Sequence, residues 1–303
     1  MNALNTQAIA ADQRPVIGVI WMVVAGLLFV GLTAGVKHMG SDIPAAQSAF
    51  LRYFLGLIFV LPMLFVVRNE RPSLRVWGFF GLRGLMHTFG VILWFYAMTR
   101  IPLAEVSAMG YMSPVFISIG AAVFLGERLR MRRLAAVAVA IIGAMVILRP
   151  GLRELNDGHV AMLFTSMFFA LSYMMAKRTS RDASPTMVVT MLSITVTIGL
   201  APFAFAVWVP VSGAELLWLL MIAGFATAGH YCMTFAFAAA PITVTQPVTA
   251  LQLVWAVSLG ALLFAEPVDL WVVAGGALIV LAVVFIALRE HQVKLAEARE
   301  LII

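Results

Sequence analysis

The chain has 303 residues, 63% of them hydrophobic and only 11% charged, with a formal net charge of +6. A soluble domain carries about 25% charged residues, so a water-facing exterior is excluded and an all-α integral membrane protein is expected, its apolar surface solvated by lipid. The basic residues fall in short clusters between apolar runs, which speaks for membrane topology and against a nucleic-acid partner.

A spanning helix needs about 20 mostly apolar residues, and the charges cut the chain into such lengths. Residues 15–36 hold no Asp, Glu, Lys or Arg; they are too long for a signal-peptide core and are read as a retained first span. Span two, 43–67, holds only Arg52; span three, 76–99, only Arg83; span four, 101–126, only Glu105. Span five, 134–148, is shorter and flanked by Arg132, Arg133 and Arg149, whose stems reach toward the interface. Spans six and seven are 158–176 and 183–207. Residues 216–265 are free of charge and too long for one crossing, so a turn at Ala240-Pro241 is expected between span eight, 214–238, and span nine, 242–264. Span ten is 269–288. The charged tail 289–303 is compatible with a helical continuation or an irregular end and is given no function.

Ten spans place both termini on one face. Lys and Arg between spans number 14 on the side of the amino terminus and 4 on the other, which predicts both termini in the cytoplasm.

The chain also repeats. Shifted by 139 residues, Ala97, Pro102, Val115, Ala122 and Glu127 fall on Ala236, Pro241, Val254, Ala261 and Glu266; shifted by 140, Gly18, Met22, Phe29 and Lys37 fall on Gly158, Met162, Phe169 and Lys177. Five spans per half is odd, so two inverted five-helix repeats are expected, 1–150 and 151–288. Such repeats suit alternating access to a site near the midplane.

The segment from Tyr96 to Leu148 has Tyr96-Ala97 before a turn, Pro102, Pro114, Gly126-Glu127-Arg128 and Gly143; the second half echoes it with Pro241 and Ala265-Glu266-Pro267. With Arg52-Tyr53 in span two, this resembles the EamA-type ten-helix exporters of the drug/metabolite transporter superfamily, over nearly the whole chain. Ala265 departs from the family's usual Gly, and Leu253 stands where the first half has Pro114. The resemblance implies export or exchange of metabolites across the bacterial inner membrane, most like the amino-acid exporters, including those for aromatic amino acids.

An ionisable group inside a bilayer costs about 2.5–3.5 kcal/mol on insertion scales and so needs a reason. Arg52 and Glu105 both lie toward the non-cytoplasmic side and are expected to pair, as a structural tie or an outer gate, if spans two and four touch. Arg83 lies two turns from the cytoplasmic end, within snorkelling range. His87 shares its helix face. His87 and His230 fall near the centres of spans three and eight, where core hydrogen bonding, carboxylate binding and proton transfer are all open to an imidazole. Tyr111 belongs to a polar face of span four, and Thr245, Thr249 and Gln252 to one of span nine, with Trp255 adjacent. Pro114 and Pro247 are expected kinks that release backbone carbonyls. The predicted substrate cavity is lined by His87, Tyr111, His230, Tyr231, Gln252 and Trp255, a set suited to an amphipathic zwitterion such as an aromatic amino acid.

No Asp or Glu lies near a span centre, which favours facilitated diffusion over proton antiport. Glu127 and Glu266 read as turn or cap residues. Gly31 and Gly35, with Ala136, Ala140 and Ala144, form small-residue packing seams. Cys232 reads as a buried structural thiol. HExxH, GxSxG and paired intramembrane acids are missing, so an enzyme, a metal site and a cofactor are not expected. A channel would need a charged ring or filter. The expected partners are a small-molecule substrate and the lipid bilayer, and the expected state is a monomer.

Overall fold

The computed structural model describes residues 15–125, 131–152, 154–179, 182–239, 248–249 and 251–300. The expected turn at Ala240-Pro241, the Pro247 kink, Thr245 and Glu127 lie outside the described residues.

Eleven helices and no strand are found among the described residues: α1 Pro15–Met39, α2 Ala45–Val67, α3 Leu74–Met98, α4 Leu103–Gly110, α5 Ser113–Leu125, α6 Met131–Leu148, α7 Asp157–Thr179, α8 Pro185–Ala206, α9 Gly213–Ala239, α10 Leu251–Phe264 and α11 Leu270–Glu300. Six of them (α1, α2, α3, α7, α8 and α9) are long and apolar enough to cross a membrane, and four shorter apolar stretches cover 103–117, 134–148, 251–264 and 270–286. α11 carries the helix through the charged tail as far as Glu300.

Local chemistry sets the ends. Gly40, at φ +70°, closes α1 in a left-handed conformation that a side chain would strain. Ser73 and Ser184 cap α3 and α8, their hydroxyls accepting from the backbone N–H of Val76 (3.4 Å) and Met187 (3.1 Å). At α9, Ser212 and Glu215 form a reciprocal box: Glu215 N–H donates to the Ser212 hydroxyl, and Ser212 N–H to the Glu215 carboxylate at 2.6 Å.

The expected fourth span is broken. α4 ends at Gly110, Tyr111 and Met112 form a tight turn, and α5 begins at Ser113. Pro114 has no N–H to give the Gly110 carbonyl, yet fits the first turn of a new helix.

Helices from the first half of the chain pack on helices of the second, and each pair runs antiparallel. α1 and α9 meet through Trp21–Phe235 (5.3 Å between ring centroids) at one end and His38–Trp218 (4.8 Å) at the other. α2 meets α8 through Glu70–Ser184 and Gln47–Val209 at opposite ends. α3 lies on α7, α4 on α10, and α6 on α11. At the α6–α11 crossing, a Cβ built on Gly143 would lie 2.7 Å from the Gly275 carbonyl, and one on Gly275 2.5 Å from the Gly143 carbonyl. Only two glycines let the backbones approach this closely. Arg149 and Asp269 then tie the end of α6 to the start of α11.

Candidate functional site

Five polar contacts gather at the end of the bundle that carries Lys37. Lys37 pairs with Glu266, and its ammonium also donates to the Ile101 carbonyl at 2.9 Å. Glu266 accepts from the Leu103 N–H at 3.0 Å, supplying a carboxylate to the first residue of α4, where the helix dipole favours it. Glu105, 3% exposed, lies 2.6 Å from Nε2 of His159, which is itself buried on α7. Asn156 donates to the Arg100 carbonyl at 2.8 Å. A cleft of about 260 Å³ opens among these groups, lined by Arg100, Glu105, Asn156, His159, Glu266 and Asp269, with other residues.

Glu105 and Arg52 were expected to pair, and they do not. Glu105 sits in the first turn of α4, within reach of α7, and α4 does not pack on α2. Arg52 instead lies over the ring of its neighbour Tyr53, 4.1 Å from the centroid. Arg83, expected within snorkelling range, is turned inward: it is 6% exposed and donates through Nη1 to the Val188 carbonyl on α8 at 2.8 Å.

Deeper in the bundle, His87 organises a second polar cluster. Its Nδ1 lies 3.1 Å from the Ser172 hydroxyl on α7, and its Nε2 3.1 Å from the Tyr53 hydroxyl on α2. The ring stacks on Phe169 with centroids 4.7 Å apart, fixing its orientation. Arg83, one turn along α3, is within electrostatic reach of Tyr53 and Tyr173, and His87 is within reach of Arg52, Arg83 and His230. Tyr173 keeps 44% of its surface open although it faces Tyr53 and Arg83, and His230 is likewise exposed. The cluster therefore borders accessible space.

The expected lining residues are distributed unevenly. His87 and His230 come together; His230 sets its ring edge against Phe29 of α1 at 5.0 Å. Tyr231, the next residue of α9, is 38% exposed. Gln252 and Trp255 pack on α1, where a Cβ on Gly26 would meet Trp255 at 2.6 Å and Gln252 at 3.0 Å. Tyr111, at the break between α4 and α5, donates its hydroxyl to the Thr249 carbonyl and so ties the two halves rather than joining His87. Tyr53, Ser172, Tyr173 and His159 were not anticipated as site residues. Tyr53 had a signal in the Arg52-Tyr53 dipeptide; the others become visible only once α7 lies beside α3 and α4.

The profile of the EamA-like transporter family matches residues 16–149 and again 156–288. A riboflavin transporter of Vibrio cholerae is 32% identical over 286 residues, covering 90% of this chain and 94% of its own. An S-adenosylmethionine uptake transporter of Rickettsia felis is 26% identical, covering 84% and 87%. The pseudopaline exporter CntI of Pseudomonas aeruginosa is 28% identical, covering 88% and 94%. None of the three is named for an amino acid, so amino-acid cargo draws no support from them; one is named for uptake and one for export, so they do not agree on a direction. With its two halves each matching one profile and its described residues folded as apolar helices, this chain belongs to the EamA-like transporter family.

Proposed function

We propose that the protein carries a small polar metabolite across the bacterial inner membrane by alternating access between two inverted five-helix halves, with both termini cytoplasmic. The observation that carries this reading is the His87 cluster. Hydrogen-bonded groups from α2, α3 and α7, with His230 of α9, border open space deep in an otherwise apolar bundle, while the Lys37 end above them is latched. The antiparallel pairing of first-half with second-half helices supports the inverted repeat, as does the doubled profile match. The sequence repeat aligns Lys177 and Glu127 with Lys37 and Glu266, so each member of the latch pair has a counterpart in the other half of the sequence.

Acids among the described span residues stand at helix ends, so flux driven by the substrate's own gradient is favoured over proton antiport. Net direction then follows concentration, which accommodates relatives named for uptake and for export. An aromatic amino acid remains compatible with the aromatic walls, but riboflavin is the better first probe because one relative is named for it.

The test is flux of riboflavin, tryptophan and phenylalanine into proteoliposomes. His230→Ala is expected to lower saturable flux by roughly tenfold or more while leaving melting close to wild type; His87→Ala is expected to lower flux as much and also to reduce stability, because the Ser172 and Tyr53 hydroxyls lose their partner. Wild-type vesicles that move none of a metabolite panel, or variants with unchanged flux, defeat the reading. Collapsing the pH gradient at fixed substrate gradient is expected to leave flux intact.

A further inference from the structure

Two guanidinium groups are buried in this bundle without a carboxylate. Arg52 is 8% exposed, lies over the Tyr53 ring, and leaves its Nε without a hydrogen-bond acceptor. Arg83 is 6% exposed, makes one hydrogen bond to the Val188 carbonyl, and also leaves its Nε unmatched. A guanidinium offers five N–H donors in a planar fork that fits a carboxylate or phosphate at two points, and it does not shed its charge. A purely structural arginine has its fork filled by carbonyls or acids. Here one donor bond is made between the two groups.

Among the described residues, no carboxylate pairs with either arginine. Arg52 lies over the Tyr53 ring, and the titratable groups within electrostatic reach of the arginines are Tyr53 on α2, His87 on α3, Tyr173 on α7 and His230 on α9. Among the described residues of these four helices the two acids are Asp157 and Glu215, each in a first turn, and Glu105 is engaged by His159. The hydrogen bond between Tyr53 and His87 sets α2 and α3 in register, placing Arg52 next to that contact and Arg83 about one helical turn from it, and both arginines are within electrostatic reach of His87 and His230. Tyr173 and His230 are both open.

We propose that the cargo of this site carries an anionic group, a carboxylate or phosphate, bound between Arg52 and Arg83 while its body lies against Tyr53, Tyr173 and His230. The proposal rests on the transport reading and narrows its substrate class. A lipid headgroup offers the same phosphate chemistry, so the experiment separates the two sources.

Purified full-length protein is melted with matched probes: nicotinate against nicotinamide, benzoate against benzamide, riboflavin 5′-phosphate against riboflavin, and short-chain phosphatidylglycerol against phosphatidylcholine. At saturating probe, at least one soluble anion is expected to raise the midpoint by about 2–4 °C more than its neutral partner. Arg52→Gln and Arg83→Gln should each remove that difference, and Arg52→Lys should retain part of it. Should Arg83→Gln fail to fold, Arg52→Gln and Arg52→Lys decide. Equal shifts from anion and neutral partner, or a preference that survives Arg52→Gln, overturn the assignment. A preference confined to phosphatidylglycerol also overturns it, making the occupant a lipid. Flux of a neutral probe without anion preference leaves transport standing and this inference fallen; anion binding without flux of any probe does the reverse.

Discussion

Ala265 holds φ at +52°, in the left-handed region where a Cβ crowds the following carbonyl at a cost of about 1–2 kcal/mol. It immediately precedes Glu266, so its strained turn aims the carboxylate at Lys37 and the α4 N-terminus. Ala265→Gly is expected to raise stability by up to about 1 kcal/mol, the relieved strain being partly offset by the freer unfolded chain, and a detergent melting curve checks it. Glu105→Ala leaves the buried His159 ring without its carboxylate partner and is expected to cost about 1–3 kcal/mol. That Glu105 needed a partner was legible from its place in an apolar run. Which partner was not, because His159 lies 54 residues away and reaches Glu105 only after α7 docks on α4. Arg52 shows the converse: its burial was expected, and its missing acid could be recognised only when spans two and four failed to touch.

At the scale of the helix, spacing in the sequence located nearly every apolar segment, because a bilayer demands a fixed apolar length whatever the helix packs against. The break in span four was less visible. Pro114 announced a kink, but the turn falls three residues earlier, at Tyr111, where the Thr249 carbonyl receives the phenol. The small-residue seams also gained partners: Gly31 and Gly35 face Phe225 and Ile222 of α9. The tightest seam is Gly143 against Gly275. Gly143→Ala is expected to destabilise by about 1–3 kcal/mol, since the new methyl meets the Gly275 carbonyl and the Ile279 backbone, neither of which can turn aside. Gly78→Ala, facing open space within α3, is the matched control and should leave the melting midpoint unchanged or raise it, since alanine favours the helix by up to about 1 kcal/mol.

For the whole molecule, the latch at the Lys37 end predicts a conformational equilibrium that single substitutions shift. Lys37→Met or Glu266→Gln removes the pair joining α1 to the α10–α11 connection and should raise exposure of Ile101, now 1% exposed. With Cys232→Ser as background and Ile101→Cys as reporter, membrane-impermeant maleimide should label the latch variants several-fold faster than the parent. Equal rates would remove the latch from the mechanism. Labelling in whole cells from the outside, with neither terminus reactive, is the outcome expected for the proposed orientation.

Hydropathy and charge by themselves determined that the chain is a helical membrane protein, where most of its apolar segments fall and which ionisable groups are anomalous, and repeated residues determined that its halves are related. These are local or one-dimensional properties, set by bilayer thickness and by the cost of charge in lipid. Tertiary structure alone decided that Glu105 meets His159, that Lys37 pairs with Glu266 at one end, and that Arg52 and Arg83 lie near His87 with no acid paired to them among the described residues. Each of those facts depends on which faces of distant helices come together, and side-chain direction around a helix is resolved only when its neighbours are in place.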